Sequence, residues 1–550
     1  MNSMVIKSLA MVWILLLTSG LMPTAPRADD SLLTHGELVE DVRQLADIIE
    51  SAHPGPYSGG GGRIAFHRRL QQALYAIPEE GMTKNEFLRL LRPLVAGVGD
   101  QHTEIYTSYD IDMSAPGGLP FVFDVVEQSL YVIAAFLPSD SVFVGSVLVD
   151  IENVPAPEIV RRLGRLEGVE NEYYALRQLG RSNLLFQAYL SELVPEWLDK
   201  SKVTIGLKRP GGEIEEVTRE LPIALPVLHL PESRVDLPQT DDSDFLWEFR
   251  DPPGDSDEIA YLRVDGMQGY REAYEMAAAE GSDSTSAEER ARIPSATESF
   301  RSLVVEMKKR KTRTLIVDLR NNGGGNYMMA PILVYFLYGK DTLTSIPWTA
   351  AASGGGHGRR YSRLYFESHP KVTLDTLNEG RDVPLIMGDI DFLGMFKDAE
   401  AARGGLASPA ENPERLKSYR RAHTFYEEYE SEAYSGYYCP ENVLVLVSPW
   451  TSSSGLDMTL WLYRAGATLV GTPSGQAPNS FGNLLEWRLD NSGIEGEVSS
   501  SFDIAFVDDN GLGRVLAVHH PLTYSKLASY DFDPNATFLF ALEVIGESWN

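Results

Sequence analysis

The chain of 550 residues contains one cysteine, Cys439, so no disulfide can close within it and no cysteine-rich metal cluster can be built. The Tyr437-Tyr438-Cys439-Pro440 setting offers that thiol neither a helix start nor an adjacent base, which argues against a cysteine nucleophile. Positive charge is also scarce. Lys and Arg number 48 against 78 Asp and Glu, a formal net charge of −30, and a surface of that sign does not neutralise nucleic-acid phosphates. The apolar run Leu9 to Leu17 near the N-terminus is too short to span a bilayer. With Lys7 before it and Ala28 ahead of Asp29-Asp30, it reads as a signal peptide over 1–28, removed on export. A retained anchor is the competing reading, but no cysteine follows that could carry a lipid, and no stable membrane anchor is expected. A protein without disulfides needs no oxidising compartment to fold.

An apolar content of 43% over this length provides for two or three domains and a large core. Leu38, Val42, Leu45, Ile48, Ile49 and Ala52 recur at helical spacing up to His53-Pro54, and Phe66 to Ile77 and Lys84 to Val95 repeat the pattern. An N-terminal helical domain over 29–105 is therefore expected. Residues 119–152 switch to period two, with Phe121, Phe123 and Val125, then Leu130, Val132 and Ala134, which predicts a small hairpin-rich β module over 106–225. From 226 to 550 strands and helices alternate as in an α/β core, with insertions near 270–296 and 340–440. The acidic stretch Glu427, Glu428, Glu430 and Glu432 in the second insertion reads as a solvated helix face.

Two junctions in the core carry chemistry. Thr314-Leu-Ile-Val-Asp-Leu-Arg-Asn-Asn-Gly-Gly-Gly-Asn326 runs from a buried strand into three glycines, which lack any Cβ that would keep a ligand from the main-chain amides. Val443 to Ser448 is a second strand, ending in Thr451-Ser452-Ser453-Ser454-Gly455 before the apolar run Leu456 to Tyr463. A serine there sits at a helix N-terminus, where amides and macrodipole favour developing negative charge. As bare residues, Ser454 to Asp457 also have the form of a capping box, and the glycines that of a tight turn. Neither phosphate-loop pattern, Gly-x-x-x-x-Gly-Lys-Ser/Thr or Gly-x-Gly-x-x-Gly, is present in the loop. His519 and His520, adjacent in a strand, would face opposite ways and form no metal site.

These two junctions, with Gly99-Asp100-Gln101-His102-Thr103 upstream and Gly471-Thr-Pro-Ser-Gly475 downstream, resemble the C-terminal processing protease and tricorn-core family of serine peptidases. The resemblance implies a ClpP/crotonase-like α/β core, a PDZ-like β module around Gly145 to Pro155, and hydrolysis of peptide or protein substrates without a cofactor or metal. It makes Ser453 the nucleophile by the Thr-x-Ser register, although a gapless count back from Gly471 points to Ser452. It gives the oxyanion hole to the amide of Ser454 with that of Gly324 or Gly325, and it makes Asp318, Arg320 and Asn326 supports of the loop. The lysine that many relatives use some 25 residues past the serine is missing, since Pro478 stands there and no lysine lies between Lys417 and Lys526. The base passes instead to His102, as in the tricorn-like arrangement. The acidic partner of that base remains open among Asp100, Glu486, Asp508 and Asp509, and no role is expected for His53, His519 or His520. The usual carboxylate-binding Gly-Leu-Gly-Phe loop is not visible in the β module. Relatives that carry hydrophobic ligands without peptidase activity supply the alternative function.

Overall fold

In the computed structural model the described residues are 32–106, 118–181, 184, 187–198, 200–221, 228–240, 243–251, 258–280, 285–345, 356–391, 425, 437–506 and 509–546. The expected signal peptide, Asp508 and the acidic stretch 427–432 lie outside them. The fold is mixed α/β, with a helical N-terminal region and several sheets. No helix among the described residues is long and apolar enough to cross a membrane.

The first helices, His35–Ala52 and Lys84–Ala96, each open on a capping box, Thr34 with Glu37 and Thr83 with Glu86. Such boxes satisfy two orphan amides at a helix start and fix where it begins. The apolar faces of these helices and of Gly62–Ala76 bury Leu38, Leu45, Phe66, Phe87 and Leu91. Their partners come from far along the chain: Tyr361, Tyr365, Leu485, Trp487 and Val498 share the same core. The last three belong to a long hairpin, Asn479–Arg488 paired antiparallel with Glu495–Ile504. That hairpin forms a sheet with Glu104–Ile105, Gly356–Arg360 and Ile390–Asp391. Residues 356–391, inside the interruption expected at 340–440, thus contribute strands and core side chains.

A second, antiparallel sheet contains Phe121–Val126, Ser129–Ala135, Val147–Ile151, Lys202–Lys208 and Ile214–Glu220. Between its third and fourth long strands the chain makes the helices Ala156–Leu163 and Glu172–Arg181, which cover one face through Ile159, Leu163, Leu176 and Leu179.

The third sheet positions the chemistry. Its order is His520–Pro521, Thr468–Gly471, Asn442–Val447, Thr314–Asp318, Ile259–Val264, Phe245–Arg250, parallel except at the last strand. Strands buried on both faces read as unbroken apolar runs. Leu315 and Val317 pack with the helices Ala296–Arg310, Met329–Ser345 and Ser454–Arg464 on one side, and Ile316 packs with Ala536–Val544 on the other. Because Thr314 pairs with Asn442 and Asp318 with Leu446, the two neighbouring strands end level. The glycine loop and the serine turn therefore leave the same edge side by side, at the carboxyl ends of parallel strands where open α/β sheets bind ligands.

Candidate active site

The two loops are stitched together by hydrogen bonds that leave little freedom. Ser448 Oγ donates to the Arg320 carbonyl at 2.5 Å, Thr451 Oγ1 to the Leu319 carbonyl at 2.8 Å, and the Ser452 amide to the Asn322 carbonyl at 2.9 Å. Below them Arg320 forms a bidentate pair with Asp318 at 2.9 and 2.7 Å, and Tyr261 donates to the same carboxylate at 2.7 Å. Burial would raise the Asp318 carboxyl, but the Arg320 guanidinium holds it down at about 2. Asn326 Oδ1 accepts from the Met328 amide at 3.0 Å and from the Tyr270 hydroxyl at 2.9 Å, so it pins the far end of the loop.

The three serines are in different situations. Ser452 Oγ donates to the Gly323 carbonyl at 3.3 Å and Ser454 Oγ to the Gly325 carbonyl at 2.6 Å. Ser453 stands between them at φ 50°, ψ −130°, immediately before the helix Ser454–Arg464, and its hydroxyl makes no side-chain cap. Positive φ in a residue with a Cβ costs energy and persists only where the surroundings hold it. Here the Ser453 amide is held by Gln476 Oε1. Gln476 is anchored in turn, its amide donating to Ser474 Oγ at 3.0 Å, and Ser474 Oγ to the Thr451 carbonyl at 2.5 Å. The turn between Asn442–Val447 and the helix thus holds one residue, Ser453, in a strained conformation. The capping box expected from Ser454 to Asp457 does not form. The helix starts one residue earlier in the motif than that box requires, with Ser453 as its N-cap.

Gly324 and Gly325 have φ of 107° and 134°. A Cβ on Gly324 would lie 2.5 Å from Ser453 Cβ and 3.0 Å from Ser453 Oγ, so this glycine backbone abuts the half-buried serine directly. Its amide is not open to a ligand, however. It donates to Asn322 Oδ1 at 2.9 Å, which corrects the expectation of Gly324 as an oxyanion donor. The side chain two residues back turns the loop and takes up this N–H, as Asn does in an Asx-turn. The amides of Gly325 and Ser454 have no protein acceptor among the described residues.

His102 follows the N-terminal helices on the turn before Glu104–Ile105. Its amide donates to Asp100 Oδ1 at 3.0 Å, and its Nδ1 faces the same oxygen at 3.7 Å, a charge contact too long for a hydrogen bond. Asp100 is fully buried and is the hub of the cluster. Its Oδ2 accepts from Thr103 Oγ1 at 2.6 Å, from Ser499 Oγ at 2.7 Å, and from His53 Nε2 at 3.3 Å. His53, to which the sequence assigned no role, is also fully buried, and its ring lies 4.4 Å from that of Phe481. The Gly55 amide donates to His53 Nδ1 at 3.0 Å, which fixes the tautomer so that Nε2 carries the proton toward Asp100. Burial pushes the Asp100 carboxyl up, yet its His102 and His53 partners hold it well below the usual carboxylate range. For His102, burial lowers the imidazole pKa, and the Asp100 carboxylate, with Glu170 and Glu104 beyond it, overrides this and raises it to about 9.

The other acidic residues weighed from the sequence are elsewhere. Glu486 lies exposed on the hairpin strand, and Asp509 caps Asn510–Arg514. His519 Nδ1 accepts from the Leu469 amide at 2.9 Å. Asp100, His102 and Glu170 each bring one side-chain nitrogen or oxygen within 4.8 Å of the others'. No sequence signal pointed to Glu170, which comes from between the two helices of the β module, distant in the chain from every motif.

Residues 258–480 match the family model described as peptidase family S41. The matched span contains the glycine loop and all three serines but stops short of His102. No curated protein matches. Among solved structures, mature CPAF is 15% identical with a TM-score of 0.54, over 93% of this chain and 98% of that one. Mature CPAF complexed with lactacystin aligns with the same identity and TM-score, over 93% and 99%. At that identity the likeness concerns the fold. Over 258–480, the span that carries the serine turn and the glycine loop, the chain is similar to peptidase family S41, a family of serine-type hydrolases.

Proposed function

We propose that this protein hydrolyses peptide bonds with Ser453 as nucleophile, His102 as general base and Asp100 as the carboxylate that orients the base. The observation that carries the reading is the contrast within the serine triplet. Of the three, Ser453 alone has positive φ and a hydroxyl without a hydrogen bond among the described residues, while Ser452 and Ser454 spend theirs on glycine-loop carbonyls. His102 takes the Oγ proton as the oxygen attacks the substrate carbonyl. The imidazolium then gives that proton to the leaving amine, and water releases the acyl group by the same steps. The Gly325 and Ser454 amides receive the tetrahedral oxyanion: both flank Ser453 without an acceptor among the described residues, and Ser454 heads a helix whose dipole adds to the effect.

The reading extends to the fold and the location. The antiparallel sheet with its two helices acts as a PDZ-like module, the parallel sheet as a ClpP/crotonase-like core, and the leader 1–28 directs export to the periplasm or medium. Peptides or proteins are the substrates. A fluorophosphonate probe tests the chemistry: it should attach covalently to Ser453, mapped by mass spectrometry of the digested adduct. Attachment to Ser452 would move the nucleophile by one residue. A folded protein that takes no label would favour the ligand-carrying alternative.

A further inference from the structure

The segment linking the two helices of the β module is locked to both halves of the proposed site. Gly168 approaches the base loop so closely that a Cβ on it would lie 2.1 Å from the Asp100 carbonyl oxygen. Asn171 Nδ2 donates to the carbonyls of Ser474 and Arg514, both at 3.2 Å. Arg177 Nη1 donates to the Pro449 carbonyl at 3.0 Å while its guanidinium covers the Trp450 ring at 4.9 Å. Between these contacts Glu170 Oε2 accepts from the Ala477 amide at 2.8 Å. Ala477 follows Gln476, the residue that holds the Ser453 amide. Among the described residues Glu170 Oε1 is buried without a hydrogen-bond partner, and so is His102 Nδ1. The carboxylate lies within 4.8 Å of His102 and Asp100.

We infer that Glu170 is a positioning residue of the reaction, by which the β module sets the placement of His102 through its carboxylate and of Ser453 through the Ala477–Gln476 loop. The inference rests on the proposed hydrolase mechanism and adds to it that the core and the N-terminal region do not complete the site by themselves. One oxygen accepts from the Ala477 amide of the serine loop and the carboxylate lies within 4.8 Å of a ring nitrogen of His102, so a single side chain couples the register of the two groups. A shift of this segment changes their separation, and reaction rate depends steeply on such geometry.

The electrostatics provide a readout that a purely structural strut would not move. The charged groups acting on His102 are Asp100 and Glu104 from its own loop and strand, Glu170 from the β module, and Asp457 from the helix after Ser453. Burial and the charge of Asp100 push the Glu170 carboxyl up to about 8, against His102 and the amides of Ala477 and Gln101. His102 is raised to about 9 against the effect of its burial, and the Glu170 charge is among the groups that raise it. Removing the charge must therefore lower the His102 midpoint. A carboxylate at this distance acts on an imidazolium by about one pH unit or more.

The test uses the full chain with isotopically labelled histidine, the His102 resonance being assigned through His102→Gln. Glu170→Gln keeps an acceptor for Ala477 and removes the charge. It should lower the His102 midpoint by about one pH unit or more and move the acid limb of the labelling-rate profile with it. Glu170→Asp keeps the charge but withdraws it from Ala477. It should leave the midpoint high while slowing fluorophosphonate labelling at least tenfold. An unchanged midpoint and labelling rate in both folded variants would overturn the inference. If the wild type takes no label at Ser453 the hydrolase reading fails on its own account, while the titration, which needs no turnover, still decides whether Glu170 governs His102.

Discussion

Replacing each glycine of Gly323-Gly324-Gly325 with alanine tests how closely this loop is fitted to Ser453. At Gly324 the new Cβ would lie 2.5 Å from Ser453 Cβ and 2.9 Å from the Ser454 amide nitrogen, whereas ordinary contact begins at 3.4 Å, so the serine must retreat by about 0.9 Å. A displacement of ~1 Å at the reacting centre costs on the order of 10² in rate, which corresponds to about 2.7 kcal/mol of activation free energy. The φ of 107° adds a folding cost, about 1–3 kcal/mol for a strained backbone. Gly323 is the control, because a Cβ there has nothing within 4 Å and no positive φ is required. Gly325→Ala should behave differently again: its Cβ would meet the Met267 carbonyl oxygen at 2.4 Å, so stability suffers along with rate. The assay is the second-order rate of fluorophosphonate labelling, paired with urea unfolding for each variant. Expected are near-wild-type values for Gly323→Ala, a loss of about 10² for Gly324→Ala in a folded protein, and the largest stability loss for Gly325→Ala. Gly324→Ala labelling at the wild-type rate would refute the reasoning, as would Gly323→Ala falling equally far.

Three further outcomes follow from the geometry. Ser453→Ala should abolish labelling and peptide hydrolysis with stability unchanged, whereas Ser452→Ala and Ser454→Ala, which lose bonds to the Gly323 and Gly325 carbonyls, should keep activity and lose about 0.5–1.5 kcal/mol in urea unfolding. His102→Ala should lower kcat by about 10²–10⁴. With the imidazole raised to about 9 against its burial, chiefly by Asp100, the base is protonated below that pH, so wild-type kcat/KM should climb as pH rises through that region; a flat profile there would dismiss His102 as the base. His53→Ala should cost about 2–4 kcal/mol of stability, because it opens a cavity and removes a donor from a buried carboxylate, and unfolding at wild-type urea concentration would contradict its place under Asp100.

The chemistry-bearing junctions were legible because their signals are local. An apolar run ending in glycines, a second ending in serines before a helix, and alternation at 119–135 each follow from the conformations that consecutive residues permit. Level pairing of Thr314–Asp318 with Asn442–Val447 turns that local order into a site, but the pairing spans a long stretch of intervening chain and left no mark in either segment.

What the sequence by itself determined was the resemblance to a serine peptidase family, the serine triplet, the glycine loop and the turn bearing His102, all of which depend on residues near one another in the chain. Only the tertiary structure decided which serine hydroxyl stays unbonded, since that depends on where the Gly323 and Gly325 carbonyls lie. It also turned the Gly324 amide to Asn322 and set Asp100 between His53 and His102. The role of His53 was invisible because a histidine before proline looks like a helix stop whatever its ring later meets. Glu170 was invisible because its partners, His102 and Ala477, lie on different units and come within reach only after both have folded. Burial and charge proximity are properties of assembled surfaces, and no spacing rule along the chain encodes them.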